Sequence, residues 1–265
     1  MPTDEHRPEA ADPRVLIVIP TLGQRPDYLR RTLESVRQQS FSADIVLVAP
    51  TRATEARDLA QEFAIRTLED PGGLSAAINL GVSHAAEHHD YVNWLGDDDT
   101  LTAGSLASVA AALDQQRTAS CAFGECLYVD EQDNPLWLSQ AGRAAPWILP
   151  WGPDLIPQPG MLVRRKAWLD AGGLDESLRF AMDLDLLLRL RRWGPLVAVP
   201  KIVSTFRWHP ESLTVSDRTQ SLAESEAVKR RYLPRWLAPV APAWEAPVRW
   251  ATRRAARSVT QRALR

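Results

Sequence analysis

RVLIVIPTLGQRPDYLRRTLESVRQQ, residues 14 to 39, changes its hydrophobic period once, at Pro20. Arg14 to Ile19 carries a short uninterrupted apolar run, the mark of a strand buried on both faces. Pro20, with no N–H to give a ladder, ends it. From Pro26 to Gln39 the apolar residues Leu29, Leu33 and Val36 form one stripe with charges between them, which predicts an amphipathic helix. The alternation repeats, with Asp44 to Ala49 as strand and Glu55 to Phe63 as helix. After the turn signal Pro71-Gly72-Gly73, Leu74 to Ala86 reads as a helix with Ala77, Ile78 and Val82 inward, Tyr91 to Leu95 as a strand and Leu106 to Leu113 as a helix. Such spacing implies right-handed crossovers and an α/β fold with a Rossmann-like, mostly parallel sheet covered by helices on both faces. Ligands of these sheets bind beyond the C-terminal ends of the strands near a switch point. That expectation gathers Pro20-Thr21, Ala49-Pro50-Thr51 and Gly96 to Asp99 around one crevice.

The later chain is less periodic. Cys121 to Leu138 reads as short strand-like pieces, and Trp147 to Pro159 as a Pro- and Trp-rich loop expected at a substrate rim. A helix at Arg164 to Ala171, the turn Gly172-Gly173, a helix from about Met182 to Trp193 and a strand near Leu196 to Val199 follow. The expected organisation is a polar arm (1–13), a body (14–228) with a nucleotide-binding half (14–115) and an acceptor half (116–228), and a helical basic extension (229–265). The 265 residues are 45% hydrophobic and 24% charged with a net charge of -2, which excludes wholesale disorder, collagen and a polytopic membrane protein. No run of 18 apolar residues occurs and the first 13 residues are polar, so a cytoplasmic address is expected. Cys121 and Cys126 lack metal-ligand spacing and read as structural.

Charge is segregated along the chain. Lys229 to Arg265 holds ten basic residues and one acid, Glu245, together with Trp236, Trp244 and Trp250. Such a segment suits the inner face of an anionic membrane, with indoles at the interface; a solvated extension or partner-binding tail is the alternative. The acidic body argues against nucleic acid. Pro234, Pro239, Pro242 and Pro247 argue against one continuous helix before about Arg249.

Asp97, Asp98 and Asp99 end a buried strand, where like charges repel unless a cation neutralises them. Carboxylates are hard oxygen ligands, so Mg2+ or Mn2+ beside a nucleotide diphosphate is indicated. The alternation Asp97-x-Asp99 turns two side chains to one side of an extended backbone. In FAMDLDLLLRL, Asp185 has Arg189 four residues on, the spacing of a surface ion pair. Asp183 has no such partner and is the better candidate for a carboxylate in the crevice, as general base. His209, in a loop after the last strand, is a candidate ligand for the ion, and Arg207 a candidate partner for phosphate.

These residues resemble the inverting family 2 glycosyltransferases of the GT-A fold. The likeness runs through VLIVIPTLGQRPDYLRRTLESVRQQ, LSAAINLGVSHA, WLGDDDTLTAGSL, QPGMLVRRKAWLDAGGLDESLRFAMDLDLLLRL and FRWHPESLT, in the family's order, over about residues 14 to 215. The resemblance implies that Asp97 and Asp99 hold the metal, with Asp97 and Asp98 toward a nucleotide sugar. It also implies that Asp183 is the catalytic base, with Met182 in place of the usual acidic neighbour. Pro20, Thr21 and Arg25 would line the nucleotide pocket, which Asn79 helps to shape. Where the family usually offers an Asp after the second strand, Pro50 and Thr51 stand here, which implies either a different donor or recognition of the nucleotide through Thr51, Arg52 or Glu55. The implied activity is a hexosyltransferase using a nucleotide diphosphate sugar, a UDP-sugar being the first expectation, on a saccharide or lipid-linked acceptor in cell-surface polysaccharide or glycolipid synthesis. The alternatives are a nucleotidyltransferase and a non-catalytic nucleotide-sugar-binding scaffold.

Overall fold

The computed structural model describes residues 14–85, 87–139, 142–208, 218–234 and 236–263. Strand β1 (Arg14–Pro20) is followed by helix α1 (Pro26–Arg37), β2 (Ala43–Ala49), α2 (Thr54–Glu62), β3 (Arg66–Glu69), α3 (Leu74–Ser83) and β4 (His89–Trp94). Then come β5 (Thr100–Leu101), α4 (Ser105–Gln115), β6 (Cys121–Val129), β7 (Pro135–Leu138), a helical turn α5 (Ala145–Ile148), β8 (Leu162–Arg164), α6 (Arg165–Ala171), α7 (Met182–Leu190) and β9 (Leu196–Arg207). Helices α8 (Arg218–Tyr232) and α9 (Pro242–Ala263) complete the described chain.

One sheet runs in the order β3-β2-β1-β4-β8-β6-β9-β5, with β7 paired to β6. β1, β2, β3 and β4 are mutually parallel, and β9 lies parallel to β6. The short strand β8 runs antiparallel to both β4 and β6, stitching the two parallel groups together. From β1 the chain lays β2 and β3 on one side and then returns to place β4 on the other. This reversal puts the switch point between the C-terminal ends of β1 and β4. Val15, Ile17 and Ile19 pack into one core layer and Leu16 and Val18 into the other, as the pleat of a doubly covered strand requires. The stripe Leu29, Leu33 and Val36 of α1 is buried as its spacing predicts.

Three sequence expectations need correction. The last strand does not stop at Val199 but continues through Pro200 to Arg207. Pro200 is tolerated because the ladder to β6 is broken there: Phe123 pairs Ala198 and Glu125 pairs Ile202, leaving an irregularity between them. The basic extension begins inside α8, leaves the helix after Tyr232 as its prolines predict, and resumes as α9 at Pro242, earlier than Arg249, with Pro247 inside the helix. Pro242 is at the first helical position, where a missing N–H costs little. Burial of Ala241 and Glu245 against the body holds the first turns despite Pro247. Asp185 does pair with Arg189 at 2.8 Å, but it is a buried pair, shared with the Tyr232 hydroxyl. Residue 228 falls inside α8, where Val228 is buried in the core.

Candidate active site

A cleft of about 690 Å³ opens at the switch point. Its floor is the end of β1 (Pro20, Thr21) and the turn after β4 (Gly96 to Asp99). The Thr21 amide donates to the Val48 carbonyl and the Leu95 amide to the Val18 carbonyl, both at 2.9 Å, so the three strand ends finish level. Gly96 makes the Asp turn possible: a Cβ there would stand 2.8 Å from Asp99 Oδ2 and 3.0 Å from Asp98 Oδ1. Each aspartate is held separately. The Thr21 hydroxyl donates to Asp97, Arg25 pairs with Asp98 at 3.3 Å, and the Arg207 amide donates to Asp99 Oδ1 at 3.1 Å. Burial pushes the Asp97 carboxyl up to about 6, and burial together with the Asp98 charge pushes Asp99 well above the usual range.

The far wall carries a second pair of carboxyls. Asp183 lies in the first turn of α7, its Oδ1 accepting the Leu184 amide at 2.7 Å. Asp154 stands on the loop after α5, where its Oδ1 accepts the Ile156 amide at 3.0 Å. Both line the cleft. Asp154 is open to the cleft, yet the surrounding walls thin its hydration. That loss, with Asp183 close by, raises its carboxyl to about 7. Asp183 is also raised, first by burial and then by Glu224. The carboxylate of Glu224, on α8, accepts the amides of Phe180 and Ala181 at 2.6 and 2.7 Å, supplying the N-terminal cap that α7 lacks in its own sequence. Tyr128, Phe206 and Trp208 form an aromatic side to the cleft, with ring centroids 5.2 to 6.4 Å apart.

Pro20, Thr21, Arg25, Asp97, Asp98, Asp99 and Asp183 are thus brought to one cleft. Other candidates sit elsewhere. Thr51 is at the sheet margin, where its amide and hydroxyl donate to Glu69 at 2.9 and 2.6 Å; Asp70, the next residue of that strand end, lines the cleft instead. Asn79 clamps the turn before α7: its Nδ2 donates to the Leu174 carbonyl and Glu176, and its Oδ1 accepts the Leu174 amide. Gly173 there has φ +70°, and a Cβ would stand 2.8 Å from Asn79 Oδ1. The Arg207 guanidinium lies behind the Asp turn, only 2% exposed, donating to Asp133 and to the carbonyls of Asp98, Asp130 and Glu131 while covering the Tyr28 ring. His209 lies outside the described residues. Both cysteines are buried and unbridged, and burial pushes their thiols up. Of the proline-rich loop, Asp154 to Pro159 is the part that meets the cleft, whereas Trp147 is 78% exposed. Asp154, Asp70 and Glu224 were not singled out from sequence. The signal for Asp154 was a lone acid within PWGPDLIPQPG.

Known proteins are similar to this chain in sequence or in fold. Over 193 residues, 67% of this chain and 14% of the other, the chain is 33% identical to the O-antigen biosynthesis protein RfbC of Myxococcus xanthus; it therefore spans a small part of that protein's length. The mannosyltransferase PcManGT from Pyrobaculum calidifontis, solved with GDP-Man and Mn2+, superposes with a TM-score of 0.66 at 17% identity, covering 94% of this chain and 76% of that one. TarS 1-349 of S. aureus, solved with UDP, gives 0.58 at 14% identity, covering 85% and 72%. These likenesses identify the fold as GT-A. The sequence profile of glycosyl transferase family 2 matches residues 16–171, and the chain belongs to that family.

Proposed function

We propose that the chain transfers a sugar from a nucleotide diphosphate sugar to an acceptor hydroxyl with inversion, in the synthesis of a cell-surface polysaccharide or glycolipid. The observation that carries this reading is the pairing, across one cleft, of the Asp97–Asp99 turn with Asp183 at the start of α7. The halves 14–115 and 116–228 are proposed to serve donor and acceptor respectively.

The Asp turn fits a divalent cation. The carboxyls of Asp97 and Asp99 are hard oxygen donors whose proton affinity is raised first by burial and then by neighbouring charge, and Gly96 spares Asp98 and Asp99 the crowding that a Cβ would bring. Asp97 and Asp99 would hold Mg2+ or Mn2+. Such an ion, when bound, supplies Lewis-acid stabilisation for a departing diphosphate. Thr21 and Arg25 orient Asp97 and Asp98, and Arg207 braces the turn from behind through its amide to Asp99. Opposite, Asp183 takes the acceptor's hydroxyl proton as the sugar is attacked, a role favoured by its raised proton affinity. Tyr128 and Trp208 offer faces for sugar stacking. A single displacement needs no covalent nucleophile, and both thiols are buried. The nucleotide base is proposed to be met by Asp70 rather than Thr51, since Asp70 reaches the cleft.

We further place the chain at a membrane surface. Among the described residues no helix is long and apolar enough to cross one. Trp147, Trp236 and Trp250 are 78%, 76% and 65% exposed, and Trp151 of the rim loop touches Trp244 of α9. These exposed indoles support docking at an interface.

A panel of nucleotide sugars beginning with UDP-sugars, supplied with Mn2+ and scored by released nucleoside diphosphate, tests the activity. Wild type should release it only with the cation, and Asp183→Asn should lower the transfer rate by about 10²- to 10⁴-fold. Release of pyrophosphate, or tight binding without turnover, would overturn the proposal.

A further inference from the structure

The end of the sheet opposite the cleft carries a different set of ligating side chains. Asp44 is the second residue of β2, and His88 and His89 stand at the start of β4. Among the described residues this is the group of three in which one carboxylate oxygen and two imidazole nitrogens lie within 4.8 Å of one another. Asp44 Oδ2 is 2.9 Å from His89 Nε2 and 3.8 Å from His88 Nε2. Vertices of a tetrahedron around a zinc ion with ordinary bond lengths lie about 3.3 Å apart. The two observed separations bracket that value.

The backbone explains the convergence. β1 lies between β2 and β4, with Leu16 beside Asp44 and Arg14 beside His89, so Asp44 and His89 reach toward each other across the start of β1. His89 is 5% exposed, which fixes its ring, whereas the His88 side chain is 49% exposed and its ring lies 4.4 Å from that of His89. One ligand is thus locked, and its neighbour is open enough to adjust and to leave a position for water.

Two imidazoles and one carboxylate suit zinc and similar borderline ions, whereas the carboxylates of the cleft suit magnesium or manganese. About 16 Å of strand separates His89 from Trp94, and the Asp turn lies farther on. We propose that Asp44, His88 and His89 form a second metal site, for zinc-class ions, that pins the starts of β2 and β4 across β1 and is independent of the cleft.

The test uses tag-free full-length chain and zinc alone, followed by calorimetric titration, thermal denaturation and the visible spectrum of the cobalt-substituted protein. Wild type and an Asp97→Asn/Asp99→Asn variant should each bind one zinc at this site and gain about 5 °C in melting midpoint at a 100-fold excess over Kd. His88→Ala, at an exposed side chain whose loss leaves folding intact, should weaken that binding at least tenfold, as should Asp44→Asn. The proposal fails if zinc does not bind wild type at micromolar concentration or binds both variants as tightly as wild type. It also fails if binding disappears in the Asp97/Asp99 variant while His88→Ala keeps it.

Discussion

Asp97 and Asp99 burden the fold when no cation is near. An acid whose proton affinity is higher in the folded chain than in the unfolded one destabilises the fold once it ionises. Asp97 rises from an ordinary 3.8 to about 6, Asp154 rises to about 7, and Asp99 rises as well. Stability without metal should therefore fall as pH increases from about 4 to about 7. In chelator at pH 8, Asp99→Asn should melt about 3 °C above wild type, while losing cation-dependent activity. A scan of melting midpoint against pH for both proteins checks this. With Asp183 as the proposed base, its raised proton affinity should displace the acid limb of kcat/KM above the ordinary carboxylate range. The Asp triplet was legible in sequence because an apolar strand runs straight into it. The place of Asp154 in the cleft was not, because no periodicity tells which side of a proline-rich loop faces a cleft. The position of Thr51 was misleading for a similar reason: its partner, Glu69, belongs to a strand that sequence did not disclose.

Elements with a long apolar stripe or run were legible, and short ones were not. β1, β2, α1 and α3 bury complete apolar faces, so their residue pattern repeats enough to be seen. β3 is a four-residue edge strand, RTLE, and β8 has only three residues, so neither offers a full period. β9 hid behind Pro200, whose cost is met by a broken ladder rather than by a strand end. Capping of α7 was equally hidden, since Glu224 arrives from α8, more than 40 residues away. Glu224→Ala should destabilise the protein by about 1–2 kcal/mol in urea unfolding. It should also move the acid limb of kcat/KM to lower pH, because Asp183 loses a neighbouring negative charge that raises its proton affinity. A variant that lost stability without moving the limb would show Glu224 to be a cap alone.

On the scale of the whole molecule, charge and aromatics divide the chain more sharply than the fold does. Helix α8 carries the body into the extension, anchored by Val228 in the core and by Lys229 on the Gly152 carbonyl. Arg230 and Arg249 are engaged with Glu245 and Glu226, so part of the extension's positive charge is met within the molecule. The exposed indoles remain for an interface. Trp236→Ala combined with Trp250→Ala should lower partitioning onto phosphatidylserine-containing vesicles about tenfold, with the melting midpoint unchanged; equal sedimentation of the two proteins would remove the membrane from this account. What the cleft holds can be seen by anomalous diffraction at the manganese edge from crystals soaked in Mn2+ and a UDP-sugar. The expected map has a manganese peak bound by Asp97 and Asp99 beside the diphosphate, with Asp183 facing the sugar's anomeric carbon. A nucleotide bound elsewhere, with the Asp turn free of metal, would contradict it.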